Sequence, residues 1–195
     1  MPPTIELPTD RPTIIAANHA SMFDLVAALI ILGEYGINAR IGVNSRFFKN
    51  PVAGKFFRSI GAIPFSKDDR ESAEQEMVDA LLAGQAAALM PEGRITRRED
   101  QTNGVGPGRP GVSRIARRSG AAVIPIGIAF TEEAWRPGTP LPKPRFGRHS
   151  VVVDIGEPVV FESDDHVANT ELLMARVGDV LLSARSSRDH ERRLR

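Results

Sequence analysis

A histidine and an aspartate stand five positions apart in Asn18-His19-Ala20-Ser21-Met22-Phe23-Asp24, where the apolar run Ile14-Ile15-Ala16-Ala17 ends. Imidazole beside a carboxylate suits general-base chemistry: the carboxylate fixes one ring nitrogen, and the other is free to take a proton. On one continuous helix five residues turn side chains about 140° apart, so the pair meets only if His19 lies on a turn and Asp24 sits one turn inside the following helix. The residues allow this, because 14–17 reads as a buried strand and 22–32 as a largely apolar helix. A structural reading competes with it. Ser21-Met22-Phe23-Asp24 also has the spacing of a capping box, in which Ser21 caps the helix and Asp24 reaches back to a backbone donor. The rest of the chain has to decide between the two.

Further polar groups follow other apolar runs, which is where open α/β sheets gather their ligand groups. After Ala86-Ala87-Ala88-Leu89-Met90 comes Pro91-Glu92-Gly93-Arg94, a carboxylate, a flexible backbone position and a guanidinium at one strand end. After Gly61-Ala62-Ile63-Pro64-Phe65 come Ser66 and Lys67, with Arg70 one turn further, cations suited to a phosphate. Val123-Ile124-Pro125 puts a proline in an apolar run, where it is expected at an edge, a bulge or a strand end. From Asn44 to Lys67 there are Arg46, Lys49, Lys55, Arg58 and Lys67 and no acid, interleaved with phenylalanines. Such a segment suits an anionic membrane surface, with core phenylalanines and a solvated cationic rim as the structural counterpart.

Composition narrows the classes. The 195 residues suit one domain with a sizeable core. There is no cysteine, which removes thiol nucleophiles, zinc-thiolate sites and disulfides. The net charge of +1 does not point to nucleic acid. His149, His166 and His190 are scattered, so no metal site is expected. No run approaches the roughly 18 consecutive apolar residues of a membrane span, and the Pro-rich 1–11 does not read as a signal peptide. The expectation is a cytoplasmic protein, soluble or peripheral on the cytoplasmic membrane face.

These groups must be held by alternating strands and helices, the pattern of a layered α/β fold. Strands are expected over 13–17, 39–43, 62–65, 86–90, 123–129 and 151–155, and helices over 22–35, 70–83, 111–118 and 167–184. The stretch 46–59 reads as helix broken near Pro51, 132–147 as a proline-crowded surface loop, and the charged tail 185–195 as frayed. The whole predicts one domain over 1–195 with a mixed, largely parallel sheet flanked by helices, its motif-bearing part at 12–130.

Four blocks in order make the chain resemble the glycerolipid acyltransferase family typified by lysophosphatidic acid acyltransferases: Asn18 to Asp24, Gly61 to Lys67, Pro91 to Gly93, and Val123 to Pro125. The resemblance implies that His19 deprotonates an acceptor hydroxyl as it attacks an acyl thioester, with Asp24 orienting the imidazole. It implies acyl-CoA or acyl carrier protein as donor co-substrate, with no resident cofactor. The acceptor would be a lysolipid such as 1-acyl-glycerol-3-phosphate, its phosphate held at Lys67, Glu92, Gly93 and Arg94, with Arg70 added as a substrate-binding candidate from its place one turn past Lys67. Two departures stand out. Lys67 replaces the family's usual arginine, and Glu92-Gly93-Arg94-Ile95-Thr96-Arg97 replaces Glu-Gly-Thr-Arg, which leaves Arg94 and Arg97 as candidates for the guanidinium. The alternative is a non-catalytic lipid- or phosphate-binding module of the same fold; the intact His19 and Asp24 favour the enzyme.

Other motifs argue less. Gly106-Pro107-Gly108-Arg109-Pro110-Gly111 matches Gly-x-Gly-x-x-Gly, but no strand immediately precedes it and its prolines remove amide donors, so it reads as a flexible loop leading to a helix start. No Gly-x-Ser-x-Gly elbow is present.

Overall fold

The computed structural model describes residues 7–135, 137–139 and 151–193, with Arg98 and 188–193 described by their backbone alone. Strands β1 (Thr13–Ala17), β2 (Ala39–Asn44), β3 (Ile63–Phe65), β4 (Ala86–Leu89), β5 (Ala122–Ala129) and β6 (Val152–Ile155) form one sheet in the order β3-β2-β4-β1-β5-β6. Neighbours are parallel except β5 and β6, which run antiparallel. Strands apolar along their whole length need covering on both faces, and β1 shows why. Ile14 and Ala16 point into one core, and Ile15 and Ala17 into the other.

Helices α1 (Phe23–Glu34), α2 (Pro51–Ser59), α3 (Arg70–Leu82), α4 (Gly111–Ser119), α5 (Thr131–Ala134) and α6 (His166–Arg193) complete the fold. Connections β1-α1-β2 and β2-α2-β3 step one way along the sheet, while β3-α3-β4 and β4-α4-β5 step the other. Right-handed crossovers then put α1 and α2 on one face and α3 and α4 on the opposite face. The cores agree: Ala27, Leu32 and Phe57 share one, and Met77, Leu81 and Ile115 the other, where Leu173, Val177 and Leu181 of α6 join them. β1 and β4 are neighbours whose connections leave in opposite directions, so a crevice opens outside their carboxyl ends.

Local chemistry explains the element bounds. Pro51 occupies the start of α2, and the Asn50 side chain accepts from the amides of Val52 and Ala53, each at 3.0 Å. A 3-10 turn at Ser45–Lys49 precedes it, so the break expected near Pro51 is present. Two expectations are corrected and one is narrowed. α6 runs on to Arg193 instead of fraying at 185, because no glycine or proline follows Gly178 to stop it. Within the expected loop, Glu132–Ala134 belong to the short helix α5, and 140–150 lie outside the described residues. Of the edge, bulge or strand end expected for Pro125, the strand end is excluded: it sits inside β5, at an interruption in the pairing with β6. Its carbonyl accepts from Gly156 at 2.9 Å, so its missing N–H faces the same side, where the chain leaves β6 before bridging again at Val159.

Candidate active site

His19 leaves the end of β1 and Asp24 enters in the first turn of α1, the one geometry in which the two can meet. His19 Nδ1 lies 2.9 Å from Asp24 Oδ2. An ionised carboxylate only accepts, so Nδ1 carries the proton and Nε2 is left with a free lone pair. The Asp24 side chain is fully buried, whereas that of His19 is 18% exposed. The capping reading is also met: Asp24 Oδ2 accepts from Ser21 N at 2.7 Å, and Ser21 Oγ accepts from Phe23 N at 3.0 Å. One carboxylate thus closes the helix start and orients the imidazole.

Residues far along the chain complete this arrangement. Thr131, also fully buried, donates its hydroxyl to Asp24 Oδ1. Ser21 Oγ donates to the Trp135 carbonyl at 2.7 Å, tying the turn to the segment after β5. Asn18 pairs through its side-chain amide with both backbone groups of Ile128, at 3.0 and 2.7 Å, which locks the end of β1 to β5.

Glu92, at the end of β4, holds the same turn from the other side. It is 2% exposed. Its Oε1 accepts from His19 N at 2.8 Å, and its Oε2 accepts from Gly106 N at 3.1 Å and from the Thr96 hydroxyl. Expected among the phosphate-holding residues, Glu92 instead spends both oxygens on protein donors and serves as a bracket across the β1–β4 crevice. Gly93 follows with φ +65, a left-handed conformation that glycine adopts without strain. Arg94 beside it is exposed and has no side-chain partner among the described residues, whereas Arg97 lies by Glu99 at 3.5 Å.

Lys67 and Arg70 are exposed as well, but they follow β3, two strand positions from β4 and three from β1. At ~4.8 Å per strand that is roughly 10 and 14 Å between strand ends. The structure therefore gathers His19, Asp24, Glu92, Gly93 and Arg94 at one crevice and sets Lys67 and Arg70 further along the same sheet edge. Sequence reasoning missed Thr131. A polar residue just past a strand neighbouring β1 was the available signal, but neighbourhood is a matter of sheet order.

Residues 4–129 match the family model described as Acyltransferase. The chain belongs to the Acyltransferase family. Within it, the chain is similar to a 1-acyl-sn-glycerol-3-phosphate acyltransferase, BAT2, chloroplastic, of Brassica napus, with 26% identity over 134 residues. That match takes in 67% of this chain and spans only 37% of the relative's length. Among solved structures, the 1-acyl-sn-glycerophosphate (LPA) acyltransferase PlsC of Thermotoga maritima superposes with a TM-score of 0.59 at 22% identity, covering 90% of this chain and 68% of that one. The likeness to PlsC is one of fold, and it agrees with the six-stranded mixed sheet flanked by helices. The family read from the four blocks is borne out.

Proposed function

We propose that this acyltransferase family member transfers a fatty acyl group from a thioester, acyl-CoA or acyl carrier protein, to a hydroxyl of a lysophospholipid such as 1-acylglycerol 3-phosphate. The observation that carries the reading is the His19–Asp24 pair: a buried carboxylate on Nδ1, at 2.9 Å, and a partly exposed imidazole whose Nε2 keeps its lone pair. In the reaction, Nε2 takes the hydroxyl proton as the oxygen attacks the thioester carbonyl. The tetrahedral intermediate collapses, the C–S bond breaks, and the departing thiolate recovers the proton from the imidazolium. Asp24 stabilises that imidazolium through Nδ1, so no protein nucleophile is needed.

The test is acceptor-dependent release of free coenzyme A from acyl-CoA. His19→Ala should lower turnover a hundredfold or more, on the order of a lost general base, with the circular dichroism spectrum unchanged. Near-normal turnover in that variant would overturn the mechanism, and no turnover by the unaltered protein with any lysolipid would leave a binding module of the same fold.

Reversible attachment to an anionic membrane belongs to the same proposal, since the acceptor is a lipid. Among the described residues no helix is long and apolar enough to cross a membrane. On α2, Val52 and Phe56 are 80% and 45% exposed and lie one turn apart, with Lys49, Lys55 and Arg58 around them and no acid between 44 and 67. The expectation that the segment's phenylalanines enter the interface is narrowed to Phe56. Phe57 is buried, and Phe47 and Phe48 pack against the same core.

A further inference from the structure

The segment 106–111 has no part in the chemistry above, yet it is built into the crevice. Gly106 N is bound to Glu92 Oε2 at 3.1 Å, and Arg109 N donates to the Pro91 carbonyl at 2.9 Å. Gly108 lies so close to α6 that a β-carbon there would stand 2.6 Å from Met174 Cγ and 2.7 Å from Thr170 Cγ2. With Pro107 and Pro110 fixing φ on either side, the backbone at Arg109 has little freedom. The stretch read as a flexible loop leading to a helix start is a clamp on one arginine.

That clamp aims the Arg109 side chain across Gly93. A β-carbon on Gly93 would lie 3.1 Å from both Cδ and Nε of Arg109 and 3.3 Å from Cζ, so the guanidinium lies close over Gly93, where a side chain would crowd it and be strained by φ +65. Arg109 is exposed, and among the described residues its guanidinium has no hydrogen-bond or ion-pair partner. Gly93 follows Glu92, the residue that holds the His19 amide. A pre-positioned, unpaired guanidinium one strand from the general base fits a phosphate, which it can bind through two parallel N–H donors. In 1-acylglycerol 3-phosphate the reacting hydroxyl and the phosphate are on adjacent carbons, so the cation that binds the phosphate must lie near His19. Arg109 meets that condition better than Lys67, whose strand end is two positions further away.

We infer that Arg109, seated on Gly93 by the 106–111 clamp, binds the phosphate of the acceptor; the inference rests on the acyl-transfer reading above. The test is initial-rate kinetics of the full chain with 1-acylglycerol 3-phosphate and acyl-CoA, alongside calorimetric binding of glycerol 3-phosphate. Arg109→Ala should raise KM for the acceptor by about tenfold to a hundredfold, the size of a lost charge-assisted hydrogen bond. KM for acyl-CoA should stay within about twofold, since the donor does not use this cation. Arg109→Lys, a point charge in place of a fork, should fall between. Glycerol 3-phosphate binding should weaken in parallel. An unchanged acceptor KM overturns the inference, and so does an equal rise in KM for acyl-CoA, which would place Arg109 on the donor's phosphates. If the unaltered chain turns over no lysolipid, the acyl-transfer reading fails by itself. Binding of glycerol 3-phosphate then decides: binding lost in Arg109→Ala supports the inference, and absent or unaltered binding overturns it.

Discussion

Asp24 does its work with two oxygens and no exposure: Oδ2 serves His19 and Ser21, and Oδ1 is served by Thr131. The Thr131 hydroxyl is therefore the test of whether the carboxylate is held as well as present. Thr131→Val keeps the shape and removes the donor, stranding a buried oxygen at a cost of about 1–3 kcal/mol. We expect urea unfolding to show that loss and turnover to fall with it, whereas Thr131→Ser restores both. A variant with normal turnover would show that His19 and Ser21 hold Asp24 sufficiently. None of this was legible near His19, because Thr131 lies 107 positions from its partner. The capping-box spacing was legible, and the apparent choice between cap and dyad dissolved because one carboxylate can accept several donors.

At the scale of elements, α2 carries two separable properties. Its start rests on Asn50, and Asn50→Ala should cost about 1 kcal/mol of stability, read from the urea midpoint, because the amides of Val52 and Ala53 lose their acceptor. Its outer face rests on Val52 and Phe56, which are exposed. A Val52→Asp, Phe56→Asp double variant should leave the unfolding free energy within roughly 0.5 kcal/mol per site, as surface changes usually do, while removing binding to anionic vesicles at low salt. Binding by the unaltered protein should fall as salt rises, since cations near a surface act only within the screening length. Vesicle co-sedimentation measures both, and an absence of binding at low salt would make the acceptor a soluble one. The basic and aromatic run was plain in the sequence. Which ring faces outward was not, because α2 turns Phe57 inward against Phe47 and Phe48 and leaves Phe56 at the rim.

Over the whole molecule, the layer opposite α1 and α2 is pinned by a pair joining α3 to α4. Arg114 donates to both oxygens of Glu74, Nε at 2.9 Å, and the Glu74 side chain is only 5% exposed. The hydrogen bond that Arg114 donates to Glu74 holds its guanidinium above the ordinary range. A raised value stabilises the fold fully below the unfolded arginine range and is lost only as pH climbs through the folded value. The arginine half of this pair should therefore add no slope to stability between about pH 5 and 9. Removing it is another matter. Arg114→Ala leaves a buried carboxylate without its cation and should cost roughly 3 kcal/mol, a fall in melting temperature of roughly 6–12 °C for a chain of this size. Calorimetry at neutral pH checks the magnitude, and a loss below about 1 kcal/mol would mean that Glu74 is rehydrated in the variant.

The sequence by itself determined the six strands, the helices other than α5, the dyad spacing and the family, because each is written in local periodicity and in residues a few positions apart. Ile14 to Ala17 must be covered on both faces wherever it lies, and His19 and Asp24 can meet only around a turn. Sheet order was decided by tertiary structure alone. Placing β1 beside β4 and β5, and β3 two positions from β4, is what brings Glu92 to His19 and Thr131 to Asp24, lays Arg109 over Gly93, and sets Lys67 apart. The physical reason is that side-chain hydrogen bonds act over about 3 Å, while the order of strands is settled by crossover handedness and by burial of whole faces, neither of which is carried by any short stretch of residues.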